Sequence, residues 1–160
     1  MSNPKKHYYT WQDIEDMCVN IIKKMYSDEW KPDLIVGLTR GGNIPATIIS
    51  NTLDIPCEAL KVSFRDDHQL VHSERLAGLV GDGKKILVVD DINDTGATFN
   101  WIWDDWDLST CEHNVKFATL TENISSDFGD VSYHVHEVNK AEEDVWLVYP
   151  WENIGEYNGV

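Results

Sequence analysis

With 160 residues, 28 acidic against 13 basic side chains and a formal charge of −15, the chain has the length of one compact domain that needs no disulfide or metal staple to hold a core. That charge repels nucleic acid and anionic lipid at long range, so neither is expected as a partner. No run approaches the roughly 18 apolar residues of a membrane span, residues 1–9 have no apolar leader core, and Cys18, Cys57 and Cys111 show no CxxC spacing; a cytoplasmic protein with reduced thiols is expected.

In chain order, Thr10 is placed to cap a helix whose apolar positions Ile14, Met17, Cys18, Ile21, Ile22 and Met25 recur at helical spacing, ending near Trp30. Leu34 to Leu38 is a continuous apolar run, as in a parallel strand covered on both faces. The loop Thr39-Arg40-Gly41-Gly42-Asn43 follows, then a helix with Pro45 in its first turn to about Leu53, and a strand from Ala59 to Ser63. Arg65 to Lys85 is polar, carries Gly78, Gly81 and Gly83 and shows no clear period, which predicts a long loop of the kind that serves as a lid. Ile86-Leu87-Val88-Val89 is the strongest strand signal, and helical character resumes from Thr98 to Trp106. Strands are expected at Val115 to Thr121, Val131 to Val135 and Val145 to Tyr149. Strands alternating with helices predict an α/β fold, a Rossmann-like, twisted, mainly parallel sheet flanked by helices, with ligands beyond the carboxyl ends of the strands.

Chemistry concentrates in residues 86–98: an apolar strand, the acids Asp90 and Asp91, then Asp94-Thr95-Gly96-Ala97-Thr98 opening a helix. Thr95 to Thr98 offer backbone N–H groups and two hydroxyls at a helix N-terminus, a phosphate cradle that uses no lysine. Asp90 and Asp91 suit vicinal ribose hydroxyls or a hydrated Mg²⁺. Two acids beside a phosphate cradle predict a phosphosugar ligand. Asp94-Thr95-Gly96 also matches the aspartic-protease signature, but Asn93 precedes the acid where an apolar residue belongs and no second copy exists.

This segment resembles the phosphoribosyl pyrophosphate motif of the type I phosphoribosyltransferases. The likeness runs over roughly residues 32–151 and is nearest to the bacterial xanthine-guanine and hypoxanthine enzymes. It implies one domain over 1–160, with a core at about 10–121 and a small C-terminal hood at about 122–155. The implied activity is transfer of the phosphoribosyl group to a purine base, a 6-oxopurine such as hypoxanthine, guanine or xanthine being favoured, in nucleotide salvage. By the same likeness, Asp90 and Asp91 bind ribose and Mg²⁺, while Asp94 to Thr98 hold the 5′-phosphate. Asp94 also exchanges a proton with purine N7, as the catalytic residue. Thr39, Arg40, Gly41 and Gly42 match the pyrophosphate loop. Residues 65–85 sit where the family keeps a flexible closing loop; the likeness assigns no residue within it, and Arg65 and Arg75 are its candidate anion contacts by charge. Trp146 stacks on the base and the Leu147 backbone reads its edge. A homodimer or homotetramer is implied.

The chain departs from the family at one point. Where those enzymes carry a lysine reading the 6-oxo group, it has Thr121-Glu122-Asn123. A Glu122 carboxylate in the base site accepts rather than donates, so a 6-amino base fits better, another residue reads the oxo group, or the register differs. The alternatives to the purine enzyme are a same-fold enzyme for adenine or a non-purine base and a non-catalytic phosphoribosyl pyrophosphate-binding regulator. The His134/His136 and His68/His72 pairs lack further metal-ligating partners, Trp101, Trp103 and Trp106 suit a packed helix or a subunit contact, and Lys140 stands alone among nine acids after Thr121, a solvated acidic surface.

Overall fold

The computed structural model describes residues 3–62 and 69–152. Strands β2 (Leu34–Leu38), β3 (Cys57–Leu60), β4 (Ile86–Asn93), β5 (Val115–Asn123) and β6 (His136–Val138) form a sheet in the order β3-β2-β4-β5-β6, with every pair parallel. Strands β1 (Lys5–Tyr8) and β7 (Val145–Val148) make a second, two-stranded parallel sheet, Lys6 opposite Trp146. The segment expected as a C-terminal hood thus contributes β6 to the main sheet and β7 to a sheet shared with the start of the chain. The last residues of that expected hood, 153–155, lie outside the described residues.

Helices α1 (Trp11–Ser27), α2 (Asn43–Leu53), α3 (Gln69–Gly81) and α4 (Ala97–Asp105) cover the main sheet. Strand pleating sends alternate side chains to opposite faces. Ile35, Leu87, Val89, Ala118 and Leu120 pack with the buried stripe of α1 and with Ala46 and Ile49 of α2. Val36, Ile86, Val88 and Phe117 pack with Leu76 and Val80 of α3 and Phe99, Ile102 and Trp106 near α4. Both faces being covered is why β2 and the first half of β4 are apolar throughout. Thr10 caps α1 as its position predicts: Asp13 N–H donates to Thr10 Oγ1 at 3.0 Å and Thr10 N–H to Asp13 Oδ2 at 2.8 Å, a capping box with Asp in the acidic place.

Four segments differ from the sequence expectation. Most of the stretch predicted as a loop, 65–85, is α3: Ser73, Leu76 and Val80 recur at helical spacing and are fully buried, but Gly78 and Gly81 and the charges around them hide that stripe. Ser73 Oγ accepts from Trp106 Nε1 at 2.8 Å and donates to Asp105 Oδ2 at 2.7 Å, tying α3 to the end of α4. Arg75 lies on α3 and pairs with Glu58; Ser63, Arg65 and His68 lie outside the described residues. Strand β4 runs four residues past Val89, so Asp90 and Asp91 belong to the sheet. The strand expected at Val131 to Val135 is reduced to a single bridge between Tyr133 and Ala118, and the regular pairing falls on His136–Val138. The polar N-terminus forms β1, because its pairing with β7 is made by backbone groups that carry no hydrophobic signal.

Candidate active site

The main sheet changes winding direction between β2 and β4. The chain leaves β2 toward β3 on one side and leaves β4 toward β5 on the other, so the loops beyond these two strands diverge and open a crevice. The sequence-predicted residues gather there. Residues 39–42 leave β2 and lead into α2, while residues 94–96 leave β4 and lead into α4. Both helices start from a glycine, Gly42 and Gly96, with no side-chain cap from that residue. At α2 the Gly42, Asn43 and Ala46 amides bond to the Leu38, Arg40 and Gly42 carbonyls and Pro45 has no N–H, so it is the start of α4 that suits an anion.

Two glycines fix how closely these parts approach. A Cβ on Gly41 would lie 2.1 Å from Asp91 Oδ2, and one on Gly42 would lie 2.3 Å from the Val89 carbonyl oxygen and 2.9 Å from Asp90 Cα. The residue 39–42 loop therefore rests directly on the acidic end of β4. Its Thr39–Arg40 peptide is cis, and Arg40 is exposed. Gly96 has φ +91°, and a Cβ there would strike the backbone nitrogen of Phe128 at 2.5 Å. The turn can form only with glycine at this place.

Asp90 and Asp91 are half-buried neighbours whose carboxyls are both pushed upward, chiefly by burial, with the Asp91 charge adding to the effect on Asp90. Each also accepts a local backbone hydrogen bond: Asp91 N–H donates to Asp90 Oδ1 and Ile92 N–H to Asp91 Oδ1, both at 2.8 Å. Such a pair is poised for a cation or for hydroxyl donors. Among the described residues no group of three or more His, Cys, Asp or Glu is arranged to hold a metal ion.

The turn after β4 is braced by residues 123–128, which the sequence alone did not single out. Asn93 Nδ2 donates to Glu122 Oε1 at 2.8 Å and to the Phe128 carbonyl at 3.0 Å, and Ser126 Oγ donates to Asn93 Oδ1 at 3.1 Å. Asn123 Nδ2 donates to the Asp94 carbonyl at 2.8 Å, and Asp127 N–H to the Thr95 carbonyl at 3.0 Å. Asp94 itself is half exposed and pairs with Lys140, Nζ to Oδ1 at 3.1 Å. A second brace comes from Tyr149, just past β7. Its hydroxyl donates to the Asp91 carbonyl at 3.1 Å, lies 2.9 Å from Thr121 Oγ1, and belongs to a ring stacked between Tyr9 and Trp151. Short polar residues in connections gave no periodic signal, and a lone lysine among acids looked like surface.

Of the C-terminal candidates, Glu122 adjoins the turn after β4 through Asn93, and Trp146 and Leu147 lie on β7. Glu122 is buried, its Oε1 bonded to Asn93 and its Oε2 without a partner, and burial pushes its carboxyl upward. It lies opposite Asn93 at the end of β4, one residue from Asp94. Trp146 is exposed at 57%, and no ring contact or hydrogen bond joins it to residues 90–98 among the described residues; Leu147 is buried beside it.

A parallel sheet with an acid pair, an uncapped helix start and a second glycine loop at its switch point defines an α/β protein whose crevice lies at the carboxyl ends of its strands. The family model of the phosphoribosyl transferase domain matches residues 5–150, and the chain belongs to that family. It is 34% identical to the xanthine-guanine phosphoribosyltransferase of Cereibacter sphaeroides, over 77% of this chain and 71% of the relative. It is 25% identical to xanthine phosphoribosyltransferase 1 of Saccharomyces cerevisiae, over 95% and 92%. The crystal structure of the purine phosphoribosyltransferase from Pyrococcus horikoshii has the same fold, with a TM-score of 0.69 at 24% identity over 94% of this chain and 95% of that one.

Proposed function

We propose that the chain transfers the 5-phosphoribosyl group of phosphoribosyl pyrophosphate to a purine base in nucleotide salvage. The observation that carries this reading is the seating of Gly41 against Asp91, which sets the Arg40 loop beside the acid pair and next to the phosphate turn. Three parts of one substrate thus meet three adjacent elements: pyrophosphate at residues 39–42, ribose hydroxyls at Asp90 and Asp91, and 5′-phosphate at the amides and hydroxyls of residues 94–98.

The acid pair also fits Mg²⁺. Two adjacent carboxyls raised by burial, that of Asp90 also by the Asp91 charge, would be relieved by a dication. A set of only two side-chain ligands suits an ion that keeps water and takes its remaining oxygens from substrate. When bound, Mg²⁺ supplies positive charge to the ribose and pyrophosphate oxygens. Arg40 and the loop amides stabilise charge on the departing pyrophosphate. In the transfer, base N9 bonds to C1′ while the C1′–O bond to pyrophosphate breaks and its electron pair leaves with that group. The proton on base N7 passes to an Asp94 carboxylate oxygen. Trp146 stacks on the base and the Leu147 backbone reads its edge, both carried by the hood at about 122–155. Glu122, bonded to Asn93 next to Asp94 and with its Oε2 unpartnered, lies beside the base site. A cytoplasmic homodimer or homotetramer completes the reading; among the described residues no helix is long and apolar enough to cross a membrane.

The test is pyrophosphate release from phosphoribosyl pyrophosphate and Mg²⁺ with hypoxanthine, guanine, xanthine and adenine in turn. Turnover with at least one base, lowered about 10²-fold or more in Asp94→Asn, is the expected result. Silence with all four, despite saturable binding of phosphoribosyl pyrophosphate, overturns it and leaves a non-purine acceptor or a regulator.

A further inference from the structure

Strand β5 ends in Thr121-Glu122-Asn123 and supplies no cation to the crevice, yet a cation is there. Lys140, in the connection from β6 to β7, brings Nζ to within 3.1 Å of Asp94 Oδ1. The approach is built by Asn123. Its Oδ1 accepts from the Lys140 backbone N–H at 3.0 Å while its Nδ2 donates to the Asp94 carbonyl at 2.8 Å. One buried amide at the carboxyl end of β5 therefore holds the backbones of both partners of the ion pair. The β5–β6 register continues up to it, with Ile124 N–H donating to the Val138 carbonyl at 2.9 Å.

The pair is a poor candidate for a fold staple. The Asp94 side chain is 47% exposed and that of Lys140 26%, and ion pairs so open to water contribute little to stability. Its chemistry suits recognition better. A carboxylate and an ammonium side by side present an acceptor and a donor at hydrogen-bond spacing. A purine edge with N7–H beside a 6-oxo group presents the complement. A 6-amino group turns a donor toward the ammonium, leaving two donors opposed and one buried group unpaired.

We propose that Lys140, positioned by Asn123, is the residue of this chain that selects a 6-oxopurine over a 6-aminopurine. This rests on the purine-transfer reading, with Asp94 facing N7. In it, the base takes over the Asp94 contact and Lys140 Nζ donates to the exocyclic oxygen. The departure on β5 is thereby compensated from a different connection.

The experiment compares the native chain with Lys140→Met, Lys140→Arg and Asn123→Ala. It uses steady-state kinetics with hypoxanthine and adenine and calorimetric binding of inosine and adenosine 5′-monophosphates. Lys140→Met is expected to lose about 10- to 100-fold in kcat/KM for hypoxanthine, the scale of one charged hydrogen bond. KM for phosphoribosyl pyrophosphate and the melting temperature should hold, and the preference over adenine should narrow. Lys140→Arg should retain most of the preference. Asn123→Ala should raise KM for hypoxanthine more than it lowers kcat. A Lys140→Met protein within threefold of native on hypoxanthine, or with an unchanged preference between the bases, overturns the proposal. If the native chain turns over no base, the purine-transfer reading fails, and the binding arm still decides: a Lys140-dependent preference for the inosine nucleotide supports the selectivity role, and equal or absent binding of the two nucleotides refutes it.

Discussion

Gly41→Ala is the sharpest test of the way the two loops meet. The added methyl would lie 2.1 Å from Asp91 Oδ2 and 2.6 Å from its Cγ, and ordinary contact begins at 3.4 Å. Taking 2.1 from 3.4 leaves 1.3 Å to be found. Gly41 is not in the left-handed region, so the backbone accepts alanine without strain and the unfolded chain loses some entropy, a gain of about 0.4–1 kcal/mol. The clash opposes it with the roughly 1–3 kcal/mol of an overpacked site. Stability should therefore fall by about 0–2.5 kcal/mol. Catalysis should suffer far more, because either the 39–42 loop or the Asp91 carboxylate moves by about an ångström, and a misplacement of that size costs about 10²-fold. The assay is kcat/KM for phosphoribosyl pyrophosphate at saturating base, alongside thermal melting. Gly78→Ala is the control: it lies inside α3 with nothing within 4 Å of its Cβ, so it should stabilise by up to about 1 kcal/mol with unchanged kinetics. A Gly41→Ala enzyme within twofold of native in kcat/KM would refute the argument that these loops are seated on each other for substrate.

Tyr149→Phe strips the hydroxyl that joins the end of β7 to the Asp91 carbonyl. A loss of about 1–3 kcal/mol, seen as a melting point lower by several degrees, is expected, and an unchanged melting curve would show that brace to be idle. Burial pushes the Tyr9 phenol up to about 12. Its neutral form is the one the fold favours, so its contribution to stability is complete below pH 10 and drains away as pH rises toward 12; denaturant titrations at pH 9 and 11 should differ in that direction, and Tyr9→Phe should flatten the difference. The Cys18 thiol is buried and likewise raised to about 12, whereas Cys57 is exposed. Alkylation of the native protein at pH 8 should therefore label Cys57 and spare Cys18 until the chain is unfolded, and early labelling of Cys18 would place it outside the core.

What the sequence made legible follows the strength of local signals. The apolar runs of β2 and β4 and the stripe of α1 state both their element and their burial. The acid pair and the Asp94 to Thr98 turn are contiguous, so spacing alone assembles them. Gly42 and Gly96 were readable as members of the two loops that precede helices, but their contacts with the Val89 carbonyl and with Phe128 span up to 47 residues and needed the fold. The stripe of α3 was hidden because its third buried position is Ser73, a polar residue buried through its bonds to Trp106 and Asp105. Lys140 was visible only as an exception in an acidic run. Its meaning depends on Asn123, seventeen residues away and joined to it by a backbone bond that leaves no mark on composition.

Charge explains why the site takes this form. A chain carrying −15 must bind a strongly anionic sugar phosphate, and its overall field opposes the approach. The crevice answers with few formal cations, each local: Arg40 at one loop and Lys140 at the other. Neutral groups add to the attraction, the amides at the start of α4. Amides fixed by helix geometry keep their direction whatever the surface charge does. Asp90 and Asp91 add negative charge at the same point, which the proposed dication, arriving with the substrate, would offset. In the proposed function, the raised carboxyls of the site and the acidity of the chain then bear on one question, how an anionic ligand and a cation would be held together at this point.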